Sequence, residues 1–122
     1  NMNTLFIAYP KCSTCQKAKK WLEQNHIYFE ERHIVENNPK KEELRKWISL
    51  SKKEIKKFFN TSGLKYKELN LKEKLSHMTE DEKLEILASD GMLVKRPLIV
   101  TEDTVLVGFK PEEWEEYFKS KK

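Results

Sequence analysis

The sequence lacks any apolar run long enough to cross a membrane and contains only two cysteines. A transmembrane helix needs about 20 consecutive apolar residues, and no segment of the 122-residue chain approaches that length. The N-terminal stretch NMNTLFIAYP has neither a basic lead nor a long apolar core. We therefore expect no signal peptide, no membrane contact and a cytoplasmic location. In a reducing cytoplasm, a cysteine pair is catalytic, redox-sensing or metal-binding more often than structural.

The charges also lack segregation by sign. Charged residues make up 36% of the chain and its net charge is +4. Lysine and arginine alternate with aspartate and glutamate along most helical stretches, so we expect these charges to solvate exposed faces. This pattern predicts no direct binding of nucleic acid. The length fits one domain spanning residues 1–122, which we expect to be a monomer without a bound cofactor.

The N-terminal third has the pattern of a βαβ unit. The apolar run TLFIAY at 4–9 predicts a buried strand. A helix is predicted from about 13 to 25, with Ser13 or Thr14 as its N-cap. The segment IYFEERHIV at 27–35 predicts a second strand, parallel to the first.

A helical insertion at about 38–90 follows. Ile55, Phe58 and Phe59 mark its second helix, and Thr79 marks the start of its last helix. The segments RPLIV at 96–100 and TVLVGF at 104–109 predict a β-hairpin, and Pro111 opens a final helix. The order is therefore βαβ, helical insertion, ββα. It predicts an α/β fold, a thioredoxin-like (glutaredoxin-like) three-layer sandwich.

The two cysteines, Cys12 and Cys15, lie in the stretch YPKCSTCQKAKKW between the first strand and the first helix. A zinc site usually has four protein ligands, but the chain has no second cysteine pair and its three histidines are scattered, so we expect no metal. Two buried, inert thiols are a second alternative, because free cysteine packs as a small hydrophobic residue.

A redox pair is the third alternative, and it has a physical mechanism. Cys12 lies at the start of the predicted helix, where unpaired amides and the helix dipole lower a thiol pKa, and Lys11 adds a nearby cation. Cys15 lies one turn further along the helix, within reach of the Cys12 sulfur. A Cys-x-x-Cys pair at a strand-to-helix turn is typical of thioredoxin-like redox sites. Cys12 would attack and Cys15 would resolve the mixed disulfide.

Two features near the site support this interpretation. Pro97 opens a strand that otherwise reads as central, where proline is unfavourable, so we predict a cis bond that shapes the active site. An ordinary trans proline is the alternative. Arg96 would lie opposite Cys12 and bind an anion, unless it is a surface ion-pair residue. Thr14 and the amides from Ser13 onward could form an anion-binding nest at the helix start.

Four motifs together resemble a known family over about residues 4–118: YPKCSTCQKAKKWL, FFNTSGLKYKELNL, ILASDGMLVKRPLIV and VLVGFKPEEW. They are similar to the arsenate reductase family of glutaredoxin-related proteins, which also includes the Spx and MgsR regulators, and most similar to its YusI-like branch. The resemblance implies a thioredoxin-like fold with a helical insertion. It also implies glutathione or another thiol as reductant, with a glutaredoxin or thioredoxin-type protein as partner.

The resemblance also assigns residues. Cys12 matches the nucleophilic cysteine that attacks arsenate in this family, and Arg96 matches one of the arginines that hold the oxyanion. Asn60 and Lys110 stand where two further arginines are expected. Lysine keeps the charge but loses the bidentate fork of arginine. The resemblance therefore leaves open whether arsenate or another small oxyanion is reduced.

Cys15 resembles a different branch of the family. A Cys-x-x-Cys pair is carried by Spx-type redox switches, whereas arsenate reductases of this type generally use one cysteine with external thiols. Spx-like proteins contact the C-terminal domain of the RNA polymerase α subunit. The alternative function is therefore a redox-switched transcriptional regulator.

Overall fold

The computed structural model describes residues 3–120, and the predicted order of elements is confirmed. The prediction of one domain over 1–122 also covers residues 1–2 and 121–122, which lie outside the described part. The elements are β1 (Leu5–Ala8), α1 (Ser13–Gln24), β2 (Glu30–His33), α2 (Lys41–Ser51), α3 (Leu64–Glu68), α4 (Leu71–Lys74), α5 (Glu80–Ser89), β3 (Leu98–Val100), β4 (Val105–Val107) and α6 (Pro111–Lys119). Short 3₁₀ helices cover Ile55–Phe58, Leu75–His77 and Gly91–Leu93.

The four strands form one mixed sheet in the order β2-β1-β3-β4. β1 and β2 are parallel, as the βαβ pattern predicts. β3 is antiparallel to both β1 and β4, so the predicted hairpin is confirmed. This arrangement places β3, the strand that follows Pro97, in the middle of the sheet.

The two faces of the sheet bury separate cores because side chains alternate along each strand. Phe6 of β1 and Leu106 of β4 pack in the core beneath α1 and α6. Their neighbours Ile7 and Val107 pack in the other core, with the helices between β2 and β3. Cys15 belongs to the α1/α6 core, so one of the two thiols is part of the packed interior.

β2 is shorter than predicted. The alternation over 27–35 suggested a long strand, but only Glu30–His33 pairs with β1. The ring nitrogen Nδ1 of His33 accepts hydrogen bonds from the backbone amides of Val35 and Glu36, both at 3.1 Å. These amides are therefore unavailable to a strand ladder, and the chain turns away from the sheet.

The helical insertion contains a 3₁₀ segment where a second regular helix was expected. α2 ends at Ser51, and its C-cap Lys52 has a left-handed backbone with φ 59°. The following Ile55–Phe58 makes a single 3₁₀ helix. Phe59 then forms an isolated antiparallel bridge with Val94. The apolar residues of this segment are buried as expected, but a short 3₁₀ turn rather than an α-helix presents them. No helix within residues 3–120 is long and apolar enough to span a bilayer.

Candidate functional site

Cys12 is the N-cap of α1. Its backbone is extended, and its sulfur accepts a hydrogen bond from the Cys15 amide at 3.4 Å. The prediction that Ser13 or Thr14 would cap this helix is wrong, because both residues already lie within its first turn. The backbone amide of Cys12 donates to the Tyr9 carbonyl at 3.0 Å, which fixes the turn between β1 and α1. The thiol therefore occupies the position where a hydroxyl or carboxylate normally caps a helix.

The surroundings of Cys12 favour its thiolate. Its partial burial acts to raise the pKa, but hydrogen bonds from the amide and the thiol of Cys15 act in the opposite direction. The positive charge of Arg96 and the amide of Thr14 lower the pKa further. The net result is a Cys12 pKa below that of an ordinary thiol, which is the condition for a reactive cysteine.

Cys15 has the opposite environment. It is buried, with 2% of its surface exposed, in the core beneath α1 and α6. Burial raises the pKa of this thiol to about 12, and its hydrogen bond to Cys12 together with the Cys12 charge acts in the same direction. Both cysteines are free thiols in the structure. At neutral pH the pair therefore consists of one reactive thiol and one protonated, protected thiol.

Cys12 opens into a surface cleft of about 380 Å³, which we call the thiol cleft. It is formed by the start of α1, the turn before α3, the segment before β3 and the segment between β4 and α6. Its lining residues are Cys12, Thr14, Asn60, Ser62, Gly63, Lys95, Arg96, Gly108, Phe109 and Lys110. Four residues singled out from the sequence as catalytic or anion-binding thus meet at one place: Cys12, Thr14, Arg96 and Lys110.

Arg96 is held in the thiol cleft by two contacts. Its guanidinium lies over the ring of Tyr9, 5.4 Å from the ring centroid, and its Nη1 donates to the Met92 carbonyl at 3.3 Å. Neither contact neutralises its charge, because one partner is a π-face and the other a carbonyl. The charge therefore remains available to the Cys12 thiolate or to a bound anion. A surface ion pair is the alternative role for Arg96, but no carboxylate pairs with it among residues 3–120.

Asn60 contributes a neutral amide to the wall of the thiol cleft. Its Nδ2 donates to the Met92 carbonyl at 3.5 Å, and its Oδ1 accepts from the Ser62 hydroxyl at 3.4 Å. A Cβ atom at Gly63 would lie 2.6 Å from Nδ2, so a larger residue there would displace the Asn60 side chain. The cleft thus carries one guanidinium, from Arg96, and no second arginine at this position.

Lys110 and Lys95 add positive charge to the thiol cleft. Lys110 precedes α6, is 62% exposed in its side chain, and lies 3.8 Å from a carboxylate oxygen of Glu113. Lys95, which the sequence analysis did not select, lines the cleft beside Arg96. Lys95 directly precedes Arg96 in the segment VKRPL, and this position is the sequence feature that could have identified it.

The remaining predicted residues surround the cleft without lining it. Ser13 is exposed at the first position of α1. Pro97 is buried, and the Arg96–Pro97 bond is cis, as predicted. The Pro97 carbonyl accepts a hydrogen bond from the Gly108 amide at 2.8 Å, and Gly108 has a left-handed backbone with φ 75°. This bond joins the segments that carry Arg96 and Lys110.

Within residues 3–120, no group of three or more His, Cys, Asp or Glu side chains is arranged to hold a metal ion.

The chain is similar to known proteins over most of its length. The family model described as the ArsC family matches residues 7–117. The uncharacterized protein YusI of Bacillus subtilis is 59% identical over 94% of this chain and 98% of its own length. The regulatory protein MgsR of the same bacterium is 36% identical over 88% of this chain and 84% of its length. The crystal structure of an ArsC family related protein from Bacteroides fragilis has a TM-score of 0.92 and 63% identity, covering 93% of this chain and 96% of that chain.

Proposed function

Because this chain belongs to the ArsC family, we propose that it is a thiol–disulfide oxidoreductase with Cys12 as nucleophile and Cys15 as resolving thiol. The observation that carries the proposal is the opposite pKa shift of the two thiols. The Cys12 pKa is lowered at the start of α1, whereas the Cys15 pKa is raised to about 12 one turn further on. The surroundings thus favour the thiolate of the attacking sulfur, while its neighbour keeps its proton.

The reaction follows from these two environments. The Cys12 thiolate attacks a sulfur of a substrate disulfide, forming a mixed disulfide and releasing the other sulfur as a thiolate. Cys12 is then no longer an anion, so its contribution to the high pKa of Cys15 disappears. Cys15 gives up its proton to the leaving thiolate or to solvent and attacks the Cys12 sulfur. The bound partner leaves as a thiol, two electrons have passed to the substrate, and the protein holds a Cys12–Cys15 disulfide.

An external thiol closes the cycle. Glutathione, another small thiol, or a glutaredoxin or thioredoxin-type protein would reduce the Cys12–Cys15 disulfide through the reverse exchange. Such reductants maintain thiols in the cytoplasm, which is the compartment that this chemistry fits.

A small oxyanion is a second substrate class for the same pair. Arg96, Lys110 and Thr14 line the thiol cleft beside Cys12, and cationic side chains together with helix-start amides favour a bound oxyanion. Reducing arsenate to arsenite takes two electrons, which the two cysteines supply by forming their disulfide. With a neutral Asn60 and a lysine at position 110, this cleft offers only one bidentate donor, Arg96. We therefore expect weaker oxyanion binding than three arginines would give.

The likeness to MgsR supports an alternative function, a redox-switched regulator. In that case the same disulfide would set the affinity for a protein partner, and the family resemblance suggests the RNA polymerase α subunit. A pull-down with the C-terminal domain of that subunit, using the reduced and the oxidised protein, tests this alternative. Retention that differs between the two states favours the regulator.

A redox titration tests the leading proposal. The protein is equilibrated in buffers of reduced and oxidised dithiothreitol, and the Cys12–Cys15 disulfide is quantified by mass spectrometry after acid quenching. We expect a single two-electron transition that is absent in Cys15→Ser. Failure of the wild-type protein to form the disulfide under mild oxidant would overturn the proposal. The second substrate class, a small oxyanion, has its own test. It compares the arsenate-dependent consumption of thiol by the wild type with that by Arg96→Gln.

A further inference from the structure

A second cleft adjoins the thiol cleft and is lined mainly by lysines. It has a volume of about 670 Å³, and we call it the lysine cleft. Its lining contains six lysines and a single carboxylate, Glu54, together with Phe59, Thr61 and Val107. The lysines are Lys52, Lys53, Lys56, Lys57, Lys95 and Lys110.

Four segments of the fold supply these lysines. Lys52 and Lys53 follow α2, Lys56 and Lys57 lie in the 3₁₀ helix Ile55–Phe58, and the other two come from the segments before β3 and α6. Lys95 and Lys110 also line the thiol cleft. The two clefts therefore share a wall, and the positive surface extends from the lysine cleft to the site of Cys12.

Most lysines of this cleft lack an acidic partner, in contrast to the lysines elsewhere that form ion pairs. Lys41, for example, contacts both Asp81 and Glu85, at 2.9 and 2.8 Å. In the lysine cleft, only Lys53 and Lys110 have a carboxylate neighbour, Glu113 in both cases, at 3.6 and 3.8 Å. The other four have no ion-pair partner among residues 3–120. The cleft thus concentrates positive charge that the fold itself does not neutralise.

We propose that the lysine cleft docks an acidic segment of a partner polypeptide whose disulfide is presented to Cys12. The inference rests on the proposed thiol–disulfide chemistry and specifies its partner: a protein with aspartates or glutamates beside the reacting sulfur. The reacting step is the one described above. The Cys12 thiolate bonds to the partner's sulfur, and the leaving thiolate carries away the electron pair of the broken S–S bond.

The lining of the cleft favours a polypeptide over a nucleic acid. Binding of single-stranded nucleic acid generally uses exposed aromatic rings on which bases stack, but the aromatic residue of this lining, Phe59, is 2% exposed. The lining contains lysines and no arginine, so it lacks the planar forks that recognise phosphates in a bidentate way. Lysines are flexible point charges, which suit carboxylates spaced along a chain. A nucleic acid would also bring no sulfur to Cys12.

Stopped-flow kinetics with synthetic peptides test the proposal. Each peptide has one cysteine, activated as a mixed disulfide with thionitrobenzoate, whose release is coloured. Because thionitrobenzoate is the better leaving group, Cys12 attacks the peptide sulfur. One peptide carries glutamates beside the cysteine and the other carries glutamines at the same positions. We expect the acidic peptide to react about tenfold faster at low ionic strength and the difference to disappear at about 1 M salt.

Paired variants locate the effect. Lys56→Gln with Lys57→Gln removes two charges from the lysine cleft, and we expect the acidic-to-neutral rate ratio to fall by about threefold or more. The matched control is Lys46→Gln with Lys67→Gln, two exposed lysines on α2 and α3 that line neither cleft. In the control we expect the wild-type ratio. Thermal denaturation of both double variants shows whether each is folded.

Each outcome is distinguishable. Equal rates for the acidic and neutral peptides in the wild type, or an equal loss of ratio in both double variants, would overturn the docking proposal while leaving the thiol chemistry intact. No reaction with either peptide would overturn the proposed function itself.

Other ligands are also tested. The cleft would be assigned to nucleic acid instead if a single-stranded DNA oligonucleotide binds tightly, if Lys56→Gln with Lys57→Gln abolishes that binding, and if the acidic peptide is not preferred. A stronger preference for coenzyme A disulfide over both peptides would assign it to a small anionic thiol.

Discussion

The N-termini of α1 and α5 satisfy their first amides in different ways. α5 begins after Thr79, whose hydroxyl accepts from the Glu82 amide at 3.1 Å while the Glu82 carboxylate accepts from the Thr79 amide at 2.8 Å. Its first turn also contains three acidic residues. α1 begins after Cys12, which offers a sulfur to one amide at 3.4 Å, and it has no acidic residue in its first turn.

Because of this difference, the start of α5 stabilises the fold, whereas the start of α1 favours a reactive thiol at Cys12. At α5, the capping box and the carboxylates already satisfy the positive end of the helix, which stabilises the fold. At α1, no carboxylate competes for that end, so the partial positive charge acts on the thiolate of Cys12 instead. Arg96 adds a full charge on the same side. The first helix therefore has a weaker cap than α5, and its start favours the thiolate of Cys12.

The largest expected effect comes from removing the thiol. Cys12→Ser should slow exchange with a small disulfide by about a thousandfold or more, because the nucleophile is lost. Serine is a good N-cap, so the free energy of unfolding should change little. Initial rates and urea denaturation measure the two quantities. Near wild-type exchange in Cys12→Ser would show that the reactive sulfur lies elsewhere.

Removing the charge beside the thiol is the next test. Arg96→Gln should raise the Cys12 pKa and slow exchange at neutral pH, because less thiolate is present. Arg96→Lys keeps the charge and should raise the pKa less. Arg45→Gln is the matched control, since Arg45 is an exposed arginine of α2 paired with Glu42 and Asp81. Identical alkylation profiles for Arg96→Gln and Arg45→Gln would contradict the role given to Arg96.

The sequence predicted the strands and the turn that position this site, but not every residue that lines it. The runs TLFIAY and RPLIV gave β1 and β3 because buried strands are dense in apolar residues. Pro97 was selected because proline is unfavourable in a central strand. The strand-to-helix turn then placed Cys12 and Arg96 together through the thioredoxin-like topology.

Other features depend on contacts that the chain makes only when folded. Cys12 was not predicted as a cap because cysteine is not one of the usual capping residues. The lysines of the lysine cleft were interpreted as solvating exposed faces, since along the chain they alternate with acidic residues. In the folded protein, Lys57 and Lys110 line one cleft although they are distant in sequence. Charge segregation of this kind arises in space and is not visible in a linear pattern.

Weakening the cap of α5 should affect stability alone. Thr79→Ala removes the hydroxyl that accepts from Glu82, and we expect a loss of about 1 kcal/mol in the free energy of unfolding. The Cys12 pKa should stay unchanged, because α5 does not contribute to the environment of the thiol. Urea denaturation and the pH profile of alkylation measure these effects. A changed Cys12 pKa in this variant would mean that the two helix starts are coupled.

The smallest effect should follow from making α1 resemble α5. Thr14→Glu puts a carboxylate in the first turn of α1, where we expect it to stabilise the helix by about 0.3–1 kcal/mol. The same negative charge should raise the Cys12 pKa. Thr14→Gln changes size without charge and is the control. If Thr14→Glu and Thr14→Gln have the same alkylation profile, the helix end is not what ionises Cys12.

The most direct test of the account is the pKa of Cys12 in the reduced wild-type protein. It is measured as the pH dependence of alkylation, with the modified residue identified by mass spectrometry and Cys12→Ser as background. Because the thiolate is the reactive form, the rate should rise with pH and reach a plateau once Cys12 is ionised. We predict that the midpoint of this rise lies below about pH 8.5, where a free cysteine is half ionised. A midpoint at or above that pH would contradict the central claim.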